Sequence, residues 1–371
     1  MSRVHANFKE FFYSKGGLYF GASGGSSDNS RLFTITQNSI PSSTAEVRKQ
    51  NRMLLDLFLN TGALPPDSVA INVFVAGHGT RSLEVLSEVL MDGGATDFPL
   101  ETQTPDSSIS FVAERYGANV ITGMNSRVLQ FGIYCARNGL KLPNITRVLH
   151  GGEQFCDEQL GIFSKVFNSE VKVCGVYGSS EAGVFAVRQP YEKWYSVQED
   201  SMIVEVVDEN GNVVDEGSEG RLVLTNTLKR SLPMIRFDTG DLARATPSYH
   251  NGFECLGPAP STISCRFGEL LVSAKDVEEG VGSYLVRMLG TCLYQIMSRG
   301  NEESDSHVTL AIYSVLPAEE TMIEVESECI RRMKVLFSEK SMVTEIDVKW
   351  VEDGGLYRIP ASHKLRAFVK L

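Results

Sequence analysis

Long apolar runs, paired cysteines and clustered basic residues are all scarce in this chain. No stretch approaches the ~20 apolar residues that a membrane span needs, and the opening MSRVHANFKE has no apolar core of a signal peptide. The expectation is a cytoplasmic protein with no membrane partner. Seven cysteines fall at irregular spacing without a Cys-x-x-Cys pair, which excludes a disulfide framework or a zinc site and predicts reduced thiols, mostly in the core. No Lys/Arg run occurs and the formal net charge is -11, so a general nucleic-acid binder is excluded, because phosphate neutralisation needs a concentrated basic surface. The Gly-Lys-Ser/Thr ending of a Walker A loop and the Gly-x-Gly-x-x-Gly of a dinucleotide site are both missing.

What is present is a chain of 371 residues, 42% of them hydrophobic, long enough for two domains or for one large domain with an appendage. Strand, Ser/Gly loop and strand are predicted over 17–37, and a helix over Ser43 to Asn60, where Val47, Met53, Leu54, Leu57 and Phe58 recur at helical spacing. The apolar run VAINVFVAG reads as a buried strand. Helices at Leu83 to Met91, Ser107 to Tyr116 and Ser126 to Asn138 then alternate with strands near Thr96 to Pro99, Asn119 to Gly123 and Thr146 to Gly151. Such alternation implies an α/β fold with a mostly parallel sheet. After Val187 the period changes to two around Glu209-Asn210-Gly211, a hairpin signal in a small antiparallel or barrel-like subdomain. A Gly/Pro/Ser linker near Gly257 to Thr262 leads to a compact α+β unit: strand Leu270 to Ser273, helix Asp276 to Met288, strands near Thr291 to Met297 and His307 to Tyr313, helix Glu319 to Phe337 and strand Glu345 to Val351. The expected division is therefore 1–258 and 259–371.

Five segments carry possible chemistry. In Gly21-Ala-Ser-Gly-Gly-Ser-Ser27, small residues let successive N–H groups turn inward as an anion nest. Alone it reads more readily as a flexible turn. Leu149-His-Gly-Gly-Glu-Gln-Phe155 follows a strand end, where open α/β sheets bind ligands, and reads equally well as a strand-to-helix turn. In Val176-Tyr-Gly-Ser-Ser-Glu-Ala-Gly183, Tyr177 is suited to stack on a base, the hydroxyls to meet a phosphate and Glu181 to hold Mg²⁺. Asp241, in Ile-Arg-Phe-Asp-Thr-Gly-Asp-Leu, is placed to accept from two ribose hydroxyls or to cap a surface turn. Lys364, near the end, taken alone is a solvated charge.

In this order the five segments resemble the adenylate-forming superfamily, and specifically its phenylacetate-CoA ligase-like branch. NVFVAGHG, GGATDFP and YGANVITGMNSR are similar to that branch between the motifs, so the resemblance covers nearly the whole chain. It implies a large AMP-binding domain, N-terminally shortened here, and a small mobile C-terminal lid. It implies ATP and magnesium as cofactors, a carboxylic acid, aryl or small, as substrate, and a thiol of CoA or a carrier protein as acceptor. Homodimers are common in that branch. By the same likeness Ser23, Gly24, Gly25, Ser26 and Ser27 touch ATP phosphates, Gly152 and Glu153 border the adenine, and Tyr177 packs on its ring. Gly178, Ser179 and Ser180 continue the nucleotide site, Ser180 on the α-phosphate, with Glu181 on Mg²⁺ and Asp241 on the ribose. Lys364 serves the carboxylate and α-phosphate, and Lys364 and Glu181 are the expected catalytic residues. Phe74, Ala76, Gly77 and His78 are expected to form one wall of the acyl pocket, with Phe155, Ala182 and Gly183 opposite.

The chain departs from the family in three places. The loop has Gly25 and Ser26 where paired threonines are usual, Gly257-Pro258 stands for Gly-Arg, and His363-Lys364 for Gly-Lys. Two other readings stay open: an acyl-protein synthetase relaying a fatty acyl group through Cys329, which the helical spacing otherwise places on a buried face, and a degenerate adenylate-binding subunit without catalysis.

Overall fold

The computed structural model of the chain describes residues 18–22, 33–37, 41–77, 80–155, 159–179, 182–198, 200–228, 233–247, 251–258, 264–267, 270–290, 292–299, 307–337, 343–352, 355–356, 358 and 368–370. Strands β1 (Leu18–Ala22) and β2 (Phe33–Gln37) fall where strands were predicted, and they pair antiparallel. There follow α1 (Pro41–Asn60), β3 (Val69–Val73), α2 (Ser82–Asp92), β4 (Thr96–Pro99), α3 (Asp106–Tyr116), β5 (Val120–Met124), α4 (Asn125–Arg137), β6 (Arg147–Gly151), α5 (Leu160–Val166) and β7 (Lys172–Ser179). Strands β4, β3, β5, β6 and β7 lie side by side and parallel, because each crossover between them carries a helix. Period two divides their side chains between two cores. Ile71, Val73, Ile121, Val148 and Val173 meet Val128, Phe131 and Phe163 on one face. Ala70, Val120, Leu149, Cys174 and Val176 meet Leu54, Phe58, Leu86 and Leu90 on the other. Both faces are covered, which is why the strands read as nearly continuous apolar runs.

The antiparallel half is not a separate barrel. Strands β8 (Gly183–Arg188), β9 (Trp194–Val197), β10 (Met202–Val207), β11 (Glu219–Asn226), β12 (Met234–Ala245) and β13 (Gly252–Pro258) continue the same sheet, in the order β7-β8-β9-β13-β12-β11-β10, for eleven strands in all. The reason is direct pairing of β8 on β7. The Glu209-Asn210-Gly211 turn forms: Asp208 Oδ1 accepts from the backbone N of Asn210 and Asn212, at 2.9 and 2.8 Å. The hairpin is longer than that turn predicts, since Val207 pairs with Arg221. The start of the expected linker, Gly257-Pro258, is still strand.

Strands β14 (Ser264–Phe267) and β15 (Leu270–Ser273) form a hairpin. The single helix expected over Asp276 to Met288 is instead α6 (Ala274–Val277), a π-helical turn Glu278–Gly282, and α7 (Ser283–Leu289). Gly280 and Gly282 weaken a regular α-helix, and a Cβ on Gly282 would lie 2.1 Å from the Tyr294 hydroxyl, which donates to Glu278. Strands β16 (Cys292–Arg299), β17 (His307–Ser314), β18 (Glu345–Trp350) and β19 (Phe368–Lys370), with helix α8 (Glu319–Leu336), build the C-terminal sheet, in the order β18-β17-β16-β19. Leu293 and Tyr313 of this sheet enter the first core of the large sheet. Arg137 clamps the join: its Nε donates to Ser314 O at 2.7 Å and its guanidinium lies 4.5 Å from the Tyr313 ring centroid.

The architecture is thus α/β with a large sheet and a small C-terminal α+β unit, as expected. Among the described residues no helix is long and apolar enough to cross a membrane. Cys135, Cys174, Cys292 and Cys329 are free and buried. Burial pushes the Cys329 thiol up to about 12, so at neutral pH it is a protonated core group, poorly suited to carry an acyl chain.

Candidate functional site

The carboxyl ends of β6 and β7 deliver two of the five segments to one edge of the sheet, beside the end of β5 and the start of α4. After β6 the chain turns at Gly152, whose φ of 73° is left-handed and suits glycine. Gly151 just before it must also lack a side chain, since a Cβ would stand 2.7 Å from Val176 Cγ2 and 3.3 Å from Phe74 Cζ. The turn then presents Glu153 and Gln154. Glu153 Oε2 accepts from the backbone N of Ser126, at the start of α4, at 2.7 Å. Gln154 Nε2 donates to Cys255 O on β13 at 3.1 Å. Gly257, with φ 95°, leaves room for the Gln154 amide, whose Oε1 would be 3.1 Å from a Cβ.

Strand β13 pairs with β12 so that Pro258 stands opposite Asp241. Asp241 is therefore in a strand and not in a turn; Thr239 Oγ1 accepts from its backbone N at 3.1 Å. Its Oδ2 accepts from the Tyr177 hydroxyl at 2.5 Å. The Tyr177 ring is boxed edge-on by Phe185, Tyr195 and Phe253, at centroid distances of 5.6, 5.7 and 5.0 Å. Burial, and then the Asp241 charge, hold the phenol well above its usual pKa, so it stays a donor and fixes the carboxylate. The sequence assigned Tyr177 and Asp241 separately; their hydrogen bond, across 64 residues, had no signal in it.

Ser179 is turned to the backbone, its Oγ accepting from Ala182 N at 3.1 Å. A Cβ on Gly178 would meet Gly183 O at 2.4 Å, so β7 and β8 touch there. Ala182 is buried, and its carbonyl accepts from Gln50 Nε2 at 2.7 Å and Asn226 Nδ2 at 3.4 Å. Gln50 on α1 also fills the space over Gly183, 2.8 Å from its Cβ position. Phe74 is buried, and the chain turns at Gly77, with φ 74° and a bridge to Thr80. Ala76 is half-buried beside it. Phe155 does not join this wall: it packs on the opposite core, 6.2 Å from Phe163 and 5.3 Å from His150. Phe74 belongs to the core on the other face, so the sheet separates the two rings that the sequence placed across one pocket. Ser23, Gly24, Gly25, Ser26, Ser27, His78, Ser180, Glu181 and Lys364 lie outside the described residues.

Two groups to which the sequence reading gave no role complete the patch. Arg358 comes from the C-terminal segment and donates from Nη1 to Ser126 Oγ at 2.7 Å and from Nη2 to Gln130 Oε1 at 2.9 Å. Ser126 thus joins Arg358 to Glu153, and the Glu153 charge opposes the burial that lowers the Arg358 pKa. His150 is fully buried at the end of β6, and Arg188 Nη2 lies 3.3 Å from its Nε2. Arginine can only donate, so Nε2 accepts and the proton sits on Nδ1. Burial first, then the Arg188 charge, pull the imidazole down to about 3.

This neutral histidine has a stability consequence. Its folded pKa is below the unfolded value, so the unfolded chain binds the extra proton between pH 6.5 and 3, and stability falls as pH falls through that window. The contribution is on the order of 5 kcal/mol across it. His150→Gln is expected to flatten the decline of the urea midpoint between pH 6.5 and 4.5. An unchanged slope in the variant would show that another group titrates.

Among the described residues no group of three His, Cys, Asp or Glu side chains stands together. Magnesium arriving on a nucleotide needs only one or two protein carboxylates beside the phosphates.

No family model matches the chain. Among curated proteins, "Indoleacetate--lysine synthetase" of Pseudomonas savastanoi is 25% identical over 202 residues, covering 52% of this chain and 47% of that protein; the match spans about half the length of the curated relative. Among solved structures, 2-hydroxyisobutyryl-CoA ligase in the postadenylation state, in complex with 2-HIB-AMP, has a TM-score of 0.66 at 13% identity, over 91% of this chain and 72% of its own. The anthranilate CoA ligase AuaEII in complex with anthranoyl-AMP gives 0.57 at 13%, over 92% and 65%. ATP-bound MatB from Rhodopseudomonas palustris gives 0.56 at 14%, also over 92% and 65%.

Proposed function

We propose that this chain, which has the fold of the adenylate-forming ligases, uses ATP to convert a carboxylic acid into an acyl adenylate. The observation that carries the reading is the Tyr177–Asp241 hydrogen bond, set beside the Gly152-Glu153-Gln154 turn and tied to it through β13. Three segments far apart in sequence make one hydrogen-bonded patch at the ligand edge of the sheet. Asp241, fixed by Tyr177, is suited to accept from ribose hydroxyls. The Gly152 backbone and Glu153 border the space for the base, and Tyr177 supplies an aromatic edge. Ser23 to Ser27 and Ser180 are assigned to the phosphates, and Gly178 keeps that part of the backbone close-packed. The division into 1–258 and 259–371 belongs to this reading.

Two anions must approach in the first step, because the carboxylate oxygen bonds to the α-phosphorus while the bond to pyrophosphate breaks. Cancelling charge and fixing geometry are therefore the main tasks, and acid-base groups have little to do. Lys364 and the loop N–H groups supply positive potential at the α-phosphate. Glu181 would hold magnesium, which would supply further charge neutralisation. The acid is assigned to the segment Phe74, Ala76, Gly77 and His78, with Ala182 and Gly183 beyond, as the resemblance implies for a flat aryl or short acid. Handing the acyl group on then requires the C-terminal unit, docked here through Arg137 and Arg358, to shift so that Lys364 withdraws.

The test is to incubate the protein with Mg-ATP and hydroxylamine against a panel of aryl, amino and short fatty acids. An acid-specific hydroxamate, with AMP in equal amount, is the expected product. If no acid yields a hydroxamate while ATP still binds, the chain is an adenylate-binding subunit without catalysis.

A further inference from the structure

The turn between β7 and β8 is pinned at both ends. Ser179 pairs with Gly183 across the two strands, and Ser179 Oγ accepts from Ala182 N at 3.1 Å. Ser180, assigned to the α-phosphate, is one peptide bond from Ser179, and Glu181 is one peptide bond from Ala182. Where the pinned ends stand therefore sets where both side chains start.

A third hold comes from 132 residues earlier in the chain. Gln50 lies on α1, and Leu54, four residues on, enters the core that also contains Phe74, so Gln50 is on the helix face turned to the sheet. Its Nε2 donates to Ala182 O at 2.7 Å. A carbonyl oxygen only accepts, so the amide nitrogen must face it. The amide lies over Gly183, where a Cβ would stand 2.8 Å from Nε2 and 3.2 Å from Cδ, and a side chain at 183 would displace it. Ala182 is 1% exposed, and its carbonyl's second donor, Asn226 Nδ2, is 3.4 Å away, near the limit of a hydrogen bond. Gln50 is thus the main donor to a buried carbonyl. Such a carbonyl, deprived of its donor, moves to find another, and here the peptide that moves adjoins the turn.

We propose that Gln50 is a positioning residue for the adenylation centre: by holding the Ala182 carbonyl it fixes the 179–183 turn, and through the turn the contact with the nucleotide α-phosphate. The inference rests on the adenylation reading and deepens it. Gln50 itself touches neither nucleotide nor acid.

The deciding experiment compares wild type, Gln50→Met and Asn51→Leu in the full chain. Methionine keeps the length of glutamine and loses the donor. Asn51 is the next residue on α1 and is buried, but its Nδ2 donates to Glu88 on α2 at 2.9 Å, so its loss weakens the hold on the helix without touching the turn. Calorimetry with AMP and with adenosine reads the α-phosphate contact without acid or turnover. AMP is expected to bind wild type and Asn51→Leu at least tenfold more tightly than adenosine, and Gln50→Met less than threefold more tightly. Adenosine affinity, expected within twofold in all three, reports that each variant is folded. Pyrophosphate exchange at saturating acid is expected to fall about 10²-fold in Gln50→Met, the scale of a ~1 Å misplacement, with KM for the acid unchanged, and less than threefold in Asn51→Leu. A wild type without the AMP preference, or a Gln50→Met protein that keeps it, overturns the proposal. Equal losses in Asn51→Leu do so too, since Gln50 would then be a helix anchor only. An AMP preference lost in Gln50→Met, with no exchange from any acid in wild type, keeps the clamp and sinks adenylation; wild-type exchange that survives undiminished in Gln50→Met does the reverse.

Discussion

Asp106→Ala is expected to lower folding stability by about 3–5 kcal/mol, read as a fall in the urea midpoint, the range found when one partner of a buried ion pair is removed. The Asp106 and Arg127 side chains are 4% and 3% exposed, and their charged atoms approach to 2.5 Å. Desolvation normally lets a group escape by neutralising, but a guanidinium stays charged at any relevant pH. Its other donors are fixed to the carbonyls of Thr102 and Thr104, so it cannot swing out to water without breaking the loop before α3. The double variant Asp106→Ala/Arg127→Met is expected to regain most of the loss, because an apolar chain of similar length leaves no buried charge. A loss under ~1 kcal/mol in the single variant would place the pair in water.

Lys364→Ala is expected to slow adenylation about 10²–10³-fold, the scale of removing one preorganised group that meets transition-state charge. ATP affinity should change little, since the ribose and base contacts assigned to Asp241, Tyr177 and Glu153 do not involve it. Stopped-flow release of pyrophosphate measures the first quantity and equilibrium binding the second. A loss of ATP binding equal to the loss of rate would make Lys364 a ground-state contact and not a catalytic one.

Burial decided how much could be read in advance. Strands β3, β5, β6 and β7 are covered on both faces, and that leaves an apolar run between turn residues that periodicity detects. Around Thr-Gly-Asp a surface turn stayed open beside the ribose reading, because Gly240, with φ 81°, and irregular pairing with β11 and β13 make the bulged strand β12 resemble a loop. The π-helical turn at Glu278–Gly282 depends on the Tyr294 hydroxyl from another strand, and local pattern carries nothing of that.

The site divides in the same way. The glycines of the Gly151-Gly152 pair were legible as special positions, and in the structure Gly151 makes way for Val176 and Phe74 while Gly152 takes a left-handed φ of 73°. Phe155 was misplaced because the turn after β6 carries it to the opposite face from Phe74, and a sequence of small residues gives no hand to a turn. His150 stood inside a quoted motif and Arg358 beside another, yet each owes its role to a partner far along the chain, Arg188 and Ser126. Pairings of that separation have no periodicity to betray them.

The most direct test of the central claim is exchange of radiolabelled pyrophosphate into ATP by the intact protein with Mg²⁺ and one acid at a time. The account predicts exchange that requires the acid, saturates with it and persists without any acceptor, since adenylation precedes transfer. Exchange that ignores the acid, or its absence with every acid while ATP binds at Asp241, would contradict it.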